Sequence, residues 1–243
     1  LTGSGCPLDD ITNEHTCRGL ITTAVLSKGI DYARIHGAKI INLSLGGPSI
    51  EDTDMLTAIN NAYNSGITII AAAGNHIYGT DYPGIYNPAI LDNVIAVGAT
   101  NKPASATTLP VRANYSNYGP ELDVVAPVGD CPGGYDPDTG HCNGEVEYGI
   151  SSTTMTCFLP PGCDENSDLS IFPTNGSYLA GNGTSFAVPQ VVAEAALLLS
   201  LKPDLTPFMV KSYLESTSTD ISPAGRDDNS GWGPINKRID LPR

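Results

Sequence analysis

A serine at the mouth of an apolar helix is the residue in this chain best placed for chemistry. Ser185 lies in Gly183-Thr184-Ser185-Phe186-Ala187-Val188-Pro189, directly before a nearly all-apolar run from Val191 to Leu199. That run predicts a buried helix that begins at Ser185. Free N–H groups and the positive dipole end at a helix start stabilise developing negative charge. A hydroxyl held there is a candidate nucleophile, weak until a base takes its proton. Gly183 and Ala187 leave room for a reactant. Pro189 removes a backbone hydrogen bond, at about 3 kcal/mol in an ordinary helix interior, which a purely structural helix rarely tolerates. The plainer alternative is a Thr/Ser cap followed by an early proline.

The elements that must position this serine alternate along the chain. Residues 19–36 read as a helix, with Leu26, Ile30 and Ala33 on one face and Gly37 as its stop. A strand follows at 39–45, closed by Gly46-Gly47-Pro48. A second helix spans 52–65, with Met55, Ile59 and Ala62 inward and Gly66 closing it. Apolar strands follow at 67–72, 94–99 and 122–126, and helices at about 185–200 and 206–216. Continuous apolar strands between amphipathic helices indicate α/β architecture: three layers, αβα, around a mostly parallel sheet. Ligands bind such sheets beyond the carboxyl ends of the strands. Here those ends are Ser44-Leu45-Gly46 and Ala73-Gly74-Asn75. The stretches 129–147 and 154–178 break the pattern and read as polar surface loops that hold four of the six cysteines.

Five segments carry a family resemblance. Gly183-Thr184-Ser185-Phe186-Ala187-Val188-Pro189 resembles the nucleophile motif of subtilisin-like serine proteases. Ser44-Leu45-Gly46-Gly47 resembles their substrate-binding strand, and Ala72-Ala73-Gly74-Asn75 their oxyanion-hole motif. Asn114-Tyr115-Ser116-Asn117-Tyr118-Gly119 with Val124-Val125-Ala126-Pro127 resembles the segment joining two later strands. Gly231-Trp232-Gly233 with Ile235-Asn236 resembles their C-terminal signature. The order is the family's, and it covers nearly the whole chain.

The resemblance implies a subtilisin-like fold and a set of roles. Ser185 would attack a scissile carbonyl, and Asn75 would donate to the oxyanion beside the Ser185 N–H. Extended substrate would lie along Gly3-Ser4-Gly5 and Ser44-Leu45-Gly46, with Ala73, Gly74 and Thr184 lining the site. Tyr82-Pro83 resembles the wall of the P1 pocket, and Asp81 its floor, which favours Arg or Lys at P1. The alternatives are a flexible terminus for Gly3-Ser4-Gly5 and a solvated carboxylate for Asp81.

Two departures qualify the resemblance. No His-Gly-Thr-His occurs in these 243 residues, and the one Asp-Thr-Gly, Asp138-Thr139-Gly140, lies in a polar loop and not at the end of an apolar strand as the family's aspartate does. Of the four histidines, His15, His36, His76 and His141, His36 reads as a helix C-cap, and His76 follows Asn75 in the wrong segment for a base. The expectation is one catalytic domain over 1–243, lacking an N-terminal part that carries Asp and His and stays associated. Gln190 stands where the family usually has histidine, which implies a packing change only. The competing function is an inactive pseudoprotease or peptide-binding module. Intact Gly183-Thr184-Ser185 and Asn75 argue against it.

Composition narrows the partners. A net charge of −14 repels phosphate backbones, so polypeptide substrates are expected and nucleic acid is not. No run approaches the roughly 18 apolar residues of a membrane span. The cysteines fall into close pairs, Cys6/Cys17, Cys131/Cys142 and Cys157/Cys163. Disulfides there would indicate a secreted, extracellular protein, although sequence leaves their connectivity open. Asp136-Pro137-Asp138-Thr139-Gly140 has the alternating acids of a short calcium loop, or is simply an acidic turn. Asn175-Gly176-Ser177 is a glycosylation sequon in a suitable host.

Overall fold

The computed structural model describes residues 22–48, 52–76, 84–102, 108–131, 135–136, 141–142, 149–153, 178–221 and 223–235. Helix α1 spans Thr23–Ile35 and α2 spans Thr53–Asn64. Side chains start both: Thr22 Oγ1 accepts from the Val25 N–H, and Asp52 from those of Asp54 and Met55, which satisfies orphan donors at each first turn. Gly37 and Gly66, with φ of 79° and 84°, end them in the left-handed region that glycine enters without strain. His36 is the α1 C-cap, its Nδ1 2.8 Å from the Tyr32 carbonyl oxygen, as the sequence predicts.

Among the described residues four parallel strands form the central sheet: β1 (Ile40–Leu43), β2 (Thr68–Ala72), β3 (Ile95–Thr100) and β4 (Val124–Pro127), in spatial order β1-β2-β3-β4. Their residues divide by period. Ile70, Ala72, Ile95, Val97, Val124 and Ala126 face a core built with α3 (Thr184–Leu201) and α4 (Pro207–Thr217). Ile41, Leu43, Ile69, Ala71, Ala96 and Val125 face the opposite core, built with α1 and α2. Alternation along a strand sends neighbours to opposite faces, and here both faces are covered. The result is the expected three-layer αβα architecture.

Boundaries shift by a few residues. The first strand ends at Leu43, so Ser44-Leu45-Gly46 leave the ladder, and the fourth begins at Val124. Two small antiparallel ladders lie in and around the stretches read as loops, the first inside 129–147 and the second flanking 154–178. One pairs β5 (Tyr135–Asp136) with β6 (His141–Cys142), and the other pairs β7 (Ile150–Thr153) with β8 (Tyr178–Gly181).

The α3 helix has 18 residues and is long and apolar enough to cross a membrane by composition alone. Ala187, Val188, Val191, Ala195 and Leu198 are fully buried in the core it shares with the sheet and α4. That packing accounts for its composition.

Candidate active site

Three chain segments meet at the carboxyl ends of β1 and β2. The first is the exit of β1, Ser44–Pro48; the second is the exit of β2, Ala73–Asn75; the third is the start of α3. Together they line a cleft of about 380 Å³, with Leu45, Gly46, Gly74, Asn75, Thr184 and Ser185 on its walls. Residues 110 positions apart are therefore neighbours, as in the Gly74 N–H bond to Thr184 Oγ1.

Thr184 fastens α3 to the second segment. Its N–H donates to Asn75 Oδ1 at 3.0 Å, and its hydroxyl donates to the same oxygen at 3.0 Å. With Oδ1 held by two donors, the amide of Asn75 is turned so that its Nδ2 lies on the Gly183 side. A Cβ added at Gly183 would stand 3.2 Å from that nitrogen. Gly183 has φ of 126° and is the α3 N-cap, with no side-chain cap bond. At the start of α3 the Thr184 N–H goes to Asn75 Oδ1 and the Phe186 N–H to Gly183 O, and that of Ser185 lies in the first turn, where N–H groups lack an intrahelical i−4 carbonyl.

Ser185 is partly exposed at the cleft, and its hydroxyl donates to the Ser44 carbonyl oxygen at 3.0 Å. Among the described residues no histidine or carboxylate bonds it. His36 is engaged at the α1 terminus, and His76 points its Nδ1 at Asn117 Oδ1, 3.0 Å away. Burial pushes the His76 pKa below the ordinary histidine value, with the Asn117 bond opposing that shift and Arg112 adding to it. Pro189, inside α3, has no N–H to give the carbonyl of Ser185 one turn earlier.

Half of the expected site residues come together. Ser185, Asn75, Leu45, Gly46, Gly74 and Thr184 converge on the cleft, and Ser44 supplies the carbonyl that holds the serine. Ala73 is fully buried: its N–H bonds Val97 O, and its carbonyl accepts from Tyr86 N and Asn117 Nδ2. Gly3, Ser4, Gly5, Asp81 and Asp138 lie outside the described residues, as do Tyr82 and Pro83. For Asp136 only the backbone, in β5, is described. Among the described residues no group of three His, Cys, Asp or Glu is placed to hold a metal. Gln190 bonds the carbonyls of Pro127 and Phe186 through Nε2, at 2.9 and 3.0 Å, a packing role in keeping with the sequence reading.

Two residues at the site carry no site role in the sequence reading. Tyr86 lines the cleft and packs on both glycine segments; a Cβ at Gly74 would lie 2.5 Å from its ring, and one at Gly46 3.3 Å from its Cβ. Its N–H donates to Ala73 O, and the next residue, Asn87, exchanges two backbone bonds with Gly47. The 86–87 segment thus joins the two walls. The signal was Tyr86-Asn87-Pro88 just ahead of β3, where the Asn87–Pro88 bond is cis. Asn117, the second, is fully buried behind the Gly74–His76 turn.

The chain is similar to known proteins along most of its length. A model described as Subtilase family matches residues 16–233. Subtilisin DY of Bacillus licheniformis is 34% identical over 200 residues, covering 82% of this chain and 57% of that protein. Subtilisin E of Bacillus subtilis (strain 168) is 35% identical over 208 residues, covering 86% of this chain and 42% of that protein. The chain therefore spans about half the length of these relatives. Among solved structures, the prenylagaramide maturation protease PagA superposes with a TM-score of 0.61 at 28% identity, over 89% of this chain and 66% of that one.

Proposed function

This chain belongs to the subtilase family, and on that premise we propose that it is the nucleophile-bearing part of a serine endopeptidase. The observation that carries the proposal is the shared cleft of Ser185 and Asn75, with Asn75 locked by Thr184 at the same helix start. Ser185 attacks the carbonyl carbon of a peptide bond. The oxygen then gains negative charge and takes hydrogen bonds from Asn75 Nδ2 and the Ser185 N–H. Such donors help because they are oriented before the charge forms. Substrate lies extended along Ser44–Gly46 and Gly74, where glycines let main chain approach main chain; Gly3-Ser4-Gly5 forms the facing strand.

The base comes from elsewhere in the protein. In this reading an N-terminal segment carrying the catalytic Asp and His pairs along β1, which ends the described ladder and leaves Asn42 exposed. When that histidine is in place, the Ser185 hydroxyl exchanges its bond to Ser44 O for one to the imidazole. Asp81 favours Arg or Lys at P1, and Tyr86 limits the room for a large aromatic. The protein acts outside the cell. Cys131 belongs to a disulfide, with Cys142 at the edge of the small β5–β6 ladder as its mate. Asp136 and Asp138 would supply carboxylate oxygens to a calcium ion, a hard cation that suits such ligands.

Covalent labelling of the complete protein by a fluorophosphonate tests the central claim. Label on Ser185, lost in Ser185→Ala, is expected; an unlabelled serine in correctly folded protein would favour the inactive peptide-binding alternative. An Asn75→Ala variant should lose ~10²–10³ in kcat, the loss known for such a donor in a subtilisin. Cleavage of P1-Arg faster than P1-Phe peptides is expected, and a strong Phe preference refutes the Asp81 assignment.

A further inference from the structure

The turn that carries Asn75 has left the sheet. Gly74 adopts φ of 101°, so the β2 ladder cannot continue through Asn75 and His76. A second segment, Tyr115–Asn117, runs antiparallel beside it. The His76 N–H donates to Tyr115 O and the Asn117 N–H to Gly74 O, each at 2.9 Å, with Asn75 and Ser116 opposite one another.

Asn117 adds its side chain to this strip. Nδ2 donates to the Ala73 carbonyl at 3.3 Å, and Oδ1 lies 3.0 Å from His76 Nδ1. Because Nδ2 is the donor to Ala73, Oδ1 is the acceptor, and the hydrogen between Asn117 and His76 sits on the imidazole. One residue therefore bonds Ala73, Gly74 and His76, bracketing Asn75 from both sides. A Cβ at Gly74 would come within 2.5 Å of Asn117 Nδ2, so the contact is close-packed as well as hydrogen-bonded.

The strip is itself anchored. Ser116 Oγ accepts from the Ala99 N–H in β3 at 3.0 Å and donates to Asn117 O. Arg112 Nη1 donates to Ser116 O at 2.6 Å, and the Tyr115 hydroxyl to Gly129 O at 3.0 Å. The bonds thus run from the middle of the sheet to the turn behind Asn75. A buried amide is costly unless its polar atoms are used, and here both ends are used on the same turn.

We propose that Asn117 is a positioning residue for the oxyanion donor, holding the backbone on either side of Asn75 so that the amide keeps its aim. This rests on the protease reading above. A donor of this kind works only within about 0.5 Å of its productive place.

The test is a double-mutant cycle in the complete protease, with active sites titrated by fluorophosphonate and kcat and KM measured on a peptide anilide. Asn75→Ala alone is expected to lose ~10²–10³ in kcat. Asn117→Ala alone is expected to lose about tenfold in kcat with KM within about twofold, the effect of a small misplacement. Together they should be no worse than Asn75→Ala alone, because the group being positioned is gone. If the two losses multiply, Asn117 supports the protein generally and the inference is wrong. Where Asn117→Ala does not fold, Asn117→Asp carries the same cycle. It keeps an acceptor toward His76 but sets an oxygen against Ala73 O, and multiplying losses again overturn the claim. An unchanged kcat in Asn75→Ala removes the oxyanion reading itself, and this inference with it.

Discussion

Glu194 is a carboxylate in the wrong place for a stable protein at neutral pH. It lies in the middle of α3, is 7% exposed, and neither of its oxygens has a hydrogen-bond partner among the described residues. Burial pushes its pKa up from 4.5 to about 7. The folded state thus holds this proton more tightly than the unfolded chain does. Below pH 4.5 the carboxyl is protonated in both states and nothing is lost. As pH rises from there, the unfolded chain ionises first and stability falls. Above about pH 7 the loss is nearly complete, at about 3 kcal/mol, or on the order of a hundredfold in the unfolding equilibrium. Glu194→Gln should therefore match the parent protein near pH 4 and exceed it by about 3 kcal/mol at pH 8.5. Denaturant unfolding of the complete protein across that range is the assay. Parallel pH dependence in parent and variant would refute the reasoning. So would a less stable variant at pH 8.5, which would mean that the carboxylate is ionised against a cation.

Other changes probe the site and its frame. Gly74→Ala places a methyl 2.5 Å from both Asn117 Nδ2 and the Tyr86 ring, at φ of 101°; a cost of about 3 kcal/mol is expected, read as a fall in Tm together with kcat. Lys211 Nζ lies 2.8 Å from Oδ1 of the buried Asp123, whose other oxygen accepts from the Ala96 N–H. Lys211→Met leaves that carboxylate without its cation and should cost about 2–3 kcal/mol, less than a fully buried pair because Lys211 is 29% exposed. Tyr86→Ala removes the ring packed between the two glycine walls and should raise kcat/KM for bulky P1 residues relative to small ones in a peptide panel.

Much of this was legible from the order of residue types. Apolar runs such as Ile67–Ala72 and the caps and glycines around α1 and α2 placed four strands and four helices, because core burial and helix termini leave local marks. Ser185 and Asn75 were legible because their neighbours are constrained too: Gly183 and Gly74 sit at φ values that other residues rarely adopt. The misses share a different cause. The β7–β8 ladder pairs residues about 30 positions apart across a polar stretch, so no local periodicity announces it. Asn117 reads as one polar residue in a connector, and only the fold reveals that its amide reaches back to Ala73 and His76. Tyr86 has no mark of this kind in the sequence; its place on the cleft follows from backbone bonds to Ala73 and, through Asn87, to Gly47. The partner that holds the serine hydroxyl is a backbone carbonyl, at Ser44, and such acceptors have no side-chain signature.

The strict alternation of strand residues between the two cores turns the sheet into a partition. Ile70 belongs to the side of the serine-bearing helix, and Ile69, its neighbour in the chain, to the other. Substitutions chosen on opposite sides share no partner across that wall, so their effects on stability should simply add. An engineer could therefore tighten the packing beneath α1 and α2 without touching the α3 side, provided Leu45 and Ala73, which carry that core to the cleft, are kept.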